Sequence, residues 1–224
     1  MLKYCLFAVF LATVGATNFY QIHNPRTSFG YVYNNGSVDA PIKIEMYMGL
    51  QCEDAAKAVP AVKAAADAYG AGVVQLKFHV FPLPYFTGDF LSCKGTRVVS
   101  NLAPEKVVDF MQTIMTNQYR IGRAPCTITD LELMELLTDF AVEMGVDRDR
   151  FYVQFSNPHT TNHCKQQWKA HIASGIYASP TFKLNGVHVV DWNPSWTKQD
   201  WSALIDYLLA PPVHGELTTP GIMW

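Results

Sequence analysis

The sequence predicts an α/β fold in which a β-α-β unit and a β-β-α unit are separated by a block of helices. Three observations carry this. Apolar residues alternate at Ile42, Ile44, Met46 and Met48, then switch to a helical period at Val59, Val62, Ala66 and Tyr69. A second alternation sets Val74, Leu76, Phe78 and Val80 against Gln75, Lys77 and His79, just after Gly70 and Gly72 stop the helix. Late in the chain, Asn185-Gly186 lies between two apolar runs, a strong hairpin signal.

Taken in order, residues 17–30 read as an extended lead-in, and Tyr31-Val32-Tyr33 as a short strand running into a turn at 34–37. Strand, helix and strand over 42–80 form a right-handed crossover with parallel strands. Pro60 removes one backbone donor from the helix, so a kink is expected there. The polar face of 74–80 suits a sheet edge better than a sheet centre. Pro82 and Pro84 end that strand. From about 87 to 175 the pattern is helical. Pro104 opens a helix through Arg120, with Val107, Met111 and Ile114 on its buried face. Thr127 or Thr129 caps a second helix that reaches Met144 and stops at Gly145. A short helix spans 147–155, and Thr160 or Thr161 starts another that reaches Ser174. Strands resume over 180–190, Thr197 caps a helix through about Leu209, and Pro211-Pro212 stops it. The expected organisation is one domain over 31–210, carrying its helical insertion at 87–175, with a tail at 211–224.

Composition narrows the class. With 49% apolar and 16% charged residues the chain has the makings of a packed core. A net charge of −2 gives no basic footprint, so nucleic acid is not an expected partner. Residues 1–16 combine one lysine, an apolar run and a small-residue exit at Gly15-Ala16, the pattern of a secretory leader cut after Ala16. That run is too short for a membrane span, and none is expected in the mature chain. The last residues carry no Lys-Asp-Glu-Leu-type signal, so secretion is expected over residence in the endoplasmic reticulum lumen. The mature chain then brings Cys52, Cys93, Cys126 and Cys164 into an oxidising compartment. Any of the last three could serve a structural disulfide; three full pairings of the four exist, and spacing selects none. Asn35-Gly36-Ser37 is a glycosylation sequon in a turn-like setting.

The chemistry concentrates at Cys52, which sits where a strand ends and a helix begins. Unpaired amide groups and the helix dipole favour a thiolate there, whereas the charges of Glu53 and Asp54 oppose it. The same two acids read equally well as first-turn residues that complement the dipole. Three fates stay open for Cys52: a structural bridge, a free thiol, or an inert buried thiol. His159, His163 and Cys164 offer zinc-type donors, but a cap at Thr160 leaves His159 outside the helix, so these histidines read as surface residues. Trp192, Trp196 and Trp201 read as packing.

These residues resemble the thioredoxin fold with a helical insert between its halves, as in DsbA-like proteins. The strand leading into Cys52 is similar to the position of the nucleophilic cysteine in a C-x-x-C motif, and Pro60 to the proline of the helix that follows. Ser179-Pro180 is similar to the cis-proline loop that faces that cysteine. Phe81-Pro82-Leu83-Pro84-Tyr85 and the run from Pro180-Thr181-Phe182 to Asn185-Gly186 resemble secreted eukaryotic members of the group. The resemblance implies thiol-disulfide exchange at Cys52, with Ser179 and Pro180 opposite, on a thiol- or disulfide-containing protein or an extended polypeptide. One departure matters: Ala55 stands where the second cysteine belongs, and Glu53 where a proline often follows the first. Attack by one thiolate is retained and resolution by a second is lost. The expected mechanism is therefore monothiol, without a bound cofactor and with glutathione or another small thiol as external resolver. The alternative is a redox-inactive domain that binds extended polypeptide or a partner protein at the cis-proline groove. Glutathione transfer, as in the kappa-class transferases, is a third reading by fold analogy.

Overall fold

A computed structural model describes residues 29–122 and 128–211. The segment 1–16 expected as a leader, most of the lead-in, Cys126, Thr127 and most of the tail lie outside the described residues. Within them the order is β1 (Tyr31–Val32), β2 (Ile42–Met48), α1 (Glu53–Tyr69) and β3 (Val74–Val80). Then come α2 (Asp89–Leu102), α3 (Val107–Thr116), α4 (Asp130–Glu143), α5 (Arg148–Ser156) and α6 (Pro158–Ala173). The order closes with β4 (Thr181–Leu184), β5 (Val187–His188) and α7 (Lys198–Leu209). The strands form one sheet in the order β1-β3-β2-β4-β5. β2 and β3 are parallel, with Ile42 opposite Val74 and Met48 opposite Val80, while β4 runs antiparallel to β2. This is the thioredoxin fold, with five helices between its halves.

The sheet places β3 inside rather than at the edge, which corrects the expectation drawn from its polar face. β1 pairs with its outer side, and Gln75 and His79 are both buried. Each has a reason to be there. Gln75 Nε2 donates to the Gly36 carbonyl. The His79 ring stacks on Tyr47 at 4.4 Å, its Nε2 meets Glu45 Oε1 at 3.1 Å, and His171 of α6 stands edge-on to it at 5.0 Å. The polar face of this strand is thus covered by an aromatic and imidazole cluster, not by water.

Helix starts follow their capping chemistry. Thr129 caps α4 reciprocally with Glu132. α6 begins at Pro158, not at Thr160 or Thr161. Asn157 accepts from the His159 amide, and Pro158 in the first turn has no donor to leave unsatisfied. Thr160 is inside the helix, where its hydroxyl donates to the Gln154 carbonyl. The segment expected as one helix from Pro104 to Arg120 is instead α3 flanked by two 3₁₀ turns, Pro104–Lys106 and Gln118–Arg120. The helix α2 was not picked out individually within the stretch expected to be helical, and it carries Asp89 and Cys93.

The main core joins one face of the sheet to α1, α7 and the inserted helices, with Phe78, Phe110, Phe151, Phe182 and Trp201 among its largest fully buried side chains, while Tyr47, Phe81, Leu83 and Ile176 form a second, smaller cluster. Trp201 contacts Phe182 and Trp196, and Trp192 contacts Phe182, so all three late tryptophans take part in packing. α1 runs through Pro60 without interruption.

Candidate functional site

Cys52 is the N-cap of α1, with extended backbone (φ −78°, ψ 121°). Its side chain does not cap the helix. Instead the thiol donates to the Ser179 carbonyl at 3.3 Å, and the residue is only 8% exposed. The Ser179–Pro180 peptide is cis. A second contact ties the same two loops, because the Gly49 amide donates to Ser179 Oγ at 2.8 Å. Cys52 and the Ser179-Pro180 pair, at least 127 residues away in sequence, therefore form one constellation beyond the C-terminal ends of the parallel strands. Glu53 and Asp54 both reach Lys57 one turn on, at exposed positions where such pairs contribute little. Ala55 is fully buried against the core, so the position of a resolving thiol is filled by packing.

The inserted helices hold the Cys52 loop from the other side, through residues that sequence reasoning missed. Asp89, the first residue of α2, is wholly buried and accepts from the Gln51 amide at 3.0 Å and the Leu83 amide at 2.9 Å. Burial pushes its carboxyl up to about 6, against the pull of those amides and that of Leu50. Gln118 Nε2 donates to the carbonyls of Leu50 and Cys52, and Gln51 Nε2 donates to that of Ile121. In the sequence Asp89 reads as an ordinary first-turn acid after a glycine, and the glutamines carry no signal.

Two glycines make room for this arrangement. A Cβ on Gly49 would lie 2.5 Å from Asp89 Oδ2, and one on Gly88 would lie 2.5 Å from Gln51 Nε2. Gly49→Ala must therefore push a carboxylate off the amides that fix it. The expected loss is about 1–3 kcal/mol of unfolding free energy, the usual cost of overpacking, read from urea midpoints. A midpoint unchanged from wild type would show that the carboxylate is free to move aside.

The other cysteines are also placed. Cys93 of α2 and Cys164 of α6 are fully buried with their sulfurs 2.7 Å apart. Cys126 lies outside the described residues. His159 and His163 stand four apart on α6, so the cap that would have separated them is absent. Even so, no group of histidine, cysteine and carboxylate side chains among the described residues is arranged to hold a metal. Nor is any described helix long and apolar enough to cross a membrane. Asn35 is exposed in the turn after β1, with φ 51°.

Comparison with known proteins agrees with this geometry. No curated protein matches the chain. Among solved structures, it is similar to alpha-DsbA1 from Wolbachia pipientis at 17% identity and a TM-score of 0.64, covering 84% of this chain and 94% of that one. It is also similar to BdbD from Bacillus subtilis, at 17% identity and a TM-score of 0.62, covering 78% and 90%. A thioredoxin-like oxidoreductase from Silicibacter pomeroyi gives 15% identity and a TM-score of 0.59, covering 83% and 94%. At such identities the likeness is one of fold, and the solved structures it joins are DsbA-like. A family model described as Thioredoxin matches residues 31–207, which span both strand units, the insert and the Cys52–Pro180 constellation. The chain belongs to the thioredoxin family.

Proposed function

We propose that this protein carries out thiol-disulfide exchange on polypeptides in the secretory route, using Cys52 as its single reacting sulfur. The observation that carries the proposal is the placement of Cys52 Sγ at a helix N-terminus, 3.3 Å from the Ser179 carbonyl at the cis-proline loop. The Cys52 thiolate attacks one sulfur of a substrate disulfide, forming a mixed disulfide and releasing the other substrate sulfur as a thiolate. With Ala55 at the resolving position, a small external thiol of the glutathione class completes the cycle. Its thiolate attacks the Cys52 sulfur of the mixed disulfide and releases the second substrate thiolate. A second thiolate of the same class then attacks the small-thiol sulfur now bound to Cys52, forming the small-thiol disulfide and returning the Cys52 thiolate. No bound cofactor takes part. The extended polypeptide lies along the backbone at Ser179 and Pro180, an edge whose pairing does not depend on a second cysteine. A leader at 1–16 directs the chain to secretion, and Asn35, exposed in its turn, carries the glycan.

A redox-inactive domain that binds extended polypeptide at the same groove is the second reading. The low exposure of Cys52 and the fully buried Ala55 favour it.

Two measurements separate the readings. Iodoacetamide applied to the native protein without reductant is expected to label Cys52 at neutral pH. With glutathione as reductant, wild type is expected to reduce insulin disulfides, and Cys52→Ser is expected to fall to the uncatalysed rate. An unlabelled Cys52, or equal rates for wild type and Cys52→Ser, would sink the exchange reading and leave the binding one.

A further inference from the structure

Beside the Cys52 loop lies a cleft of 360 Å³ that the exchange chemistry does not use. Its floor and walls are Leu83, Phe86, Phe90 and Trp168, and its rim carries Lys165 and Lys169. We infer that this cleft is a substrate subsite, which takes a bulky apolar side chain of an extended polypeptide whose neighbouring residues are acidic. The inference rests on the exchange reading for the identity of the substrate, and it adds which polypeptides that site accepts.

Position is the first argument. The loop bearing Pro82, Leu83 and Pro84 leaves the C-terminal end of β3, next to the end of β2 from which the Cys52 loop departs. Ligands of open α/β sheets bind outside the carboxyl ends of parallel strands. The two loops are also bonded to one side chain, since Asp89 accepts from Gln51 on the Cys52 side and from Leu83 on the cleft side. On the other side, Ile176, three residues before Ser179, packs in the same cluster as Phe86 and Trp168 of the cleft.

Chemistry is the second. Phe86 and Trp168 pack on Tyr47, Phe81, Leu83 and Ile176, so the apolar wall is anchored rather than loose. Two prolines stiffen the loop opposite α6. The size is near the lower end of ligand pockets (~300–1,000 Å³), which suits a side chain or two better than a large cofactor. Lys165 and Lys169 are exposed, lie one turn apart on α6, and pair with no carboxylate among the described residues. A net charge of −2 for the whole chain makes this unpaired basic rim a local exception. An acidic flank on the occupant would complement it, at a distance that salt screens.

The test uses Cys52→Ser, so that binding is read without thiol chemistry. Fluorescein-labelled short peptides of Gly and Ser are compared by anisotropy: one with a central Leu-Phe-Glu-Glu, one with Leu-Phe-Lys-Lys, and one with Gly-Gly-Glu-Glu. The first is expected to bind roughly tenfold tighter than either control, and raising salt is expected to weaken it. The surface double variant Lys165→Glu/Lys169→Glu should reverse the preference between the acidic and basic peptides. Equal affinities for the three peptides, or an unchanged ranking in the double variant, would overturn the inference. So would complete displacement of the first peptide by phenylacetate alone, which would make the cleft a small-carboxylate site. Selective peptide binding in a protein whose Cys52 fails to exchange would leave the subsite standing and end the redox reading, so the two failures are distinguishable.

Discussion

Oxidation of the Cys93–Cys164 pair is expected to raise the unfolding free energy by about 4 kcal/mol, from a bond closing a loop between residues 71 apart. The sulfurs already touch, both are fully buried, and they join α2 to α6, the two helices that flank the insert's packing. A disulfide of the glutathione type accepts the two electrons, and the thiols lose their protons as the bond forms. Desolvation raises the Cys93 thiol well above its ordinary range, so Cys93 is poor as a nucleophile and suited to a structural role. A non-reducing peptide map should link Cys93 to Cys164. Urea unfolding of Cys52→Ser with and without dithiothreitol should then differ by about that 4 kcal/mol. A map joining either residue to Cys126, or a difference under about 1 kcal/mol, would refute the assignment. The pairing also narrows the fates of Cys52, whose sole remaining disulfide partner within residues 17–224 is Cys126.

Acid is expected to destabilise the protein through His171. Burial, with His79 beside it, pushes the His171 imidazole down from 6.5 to about 3, and neither ring nitrogen has a hydrogen-bond partner among the described residues. Below pH 6.5 the unfolded chain takes up a proton that the native ring refuses, so stability falls as pH drops through the window from about 6.5 to 3. The slope is about 1.4 kcal/mol per pH unit, or roughly 5 kcal/mol across the window. His79, also held down by burial, acts in the same direction. So does Glu45, whose carboxyl is lowered by its hydrogen bond to His79. Asp89 opposes them. Its raised carboxyl holds a proton in the native state from about pH 6 downward, which returns about 3 kcal/mol by pH 4. The His171 contribution is therefore isolated by difference. The stability gap between wild type and His171→Leu should move in favour of the variant by about 1.4 kcal/mol per unit as the pH falls from 6.5. A gap that stays constant between pH 7 and about pH 4 would show that His171 is solvated in the native state.

Much of the frame was legible in the chain because local chemistry and fold agree there. The hairpin at Asn185-Gly186 is marked by residues that accept the positive φ angles of 50° and 84° found in the structure. The Cys52 junction is marked by a change of hydrophobic period from two to 3.6. What stayed hidden depends on distant partners. α2 buries Ser92, Gly95 and Thr96 alongside Val98 and Val99, so its inner face carries no apolar stripe to detect. Asp89 became a buried acceptor only because Gly49 lets the Cys52 loop approach it. β3 looked like an edge because Gln75 and His79 are polar, and only β1 and the His171 ring explain their burial. The capping choice between Asn157 and Thr160 misled for a smaller reason, since both residue types cap well and the proline after Asn157 decides.

The glutamine and aspartate contacts that cross from the insert to residues 50–52 have a kinetic consequence. A segment held only by its neighbours in the chain opens by itself, but one bonded to a distant helical layer opens when that layer does. The Gln51 amide, locked onto Asp89, should exchange its hydrogen for deuterium at the pace of the inserted helices and not at the pace of an isolated loop. Damage far from the sulfur, at the α2–α6 seam for instance, would then register as faster deuteration of the very residue that precedes it.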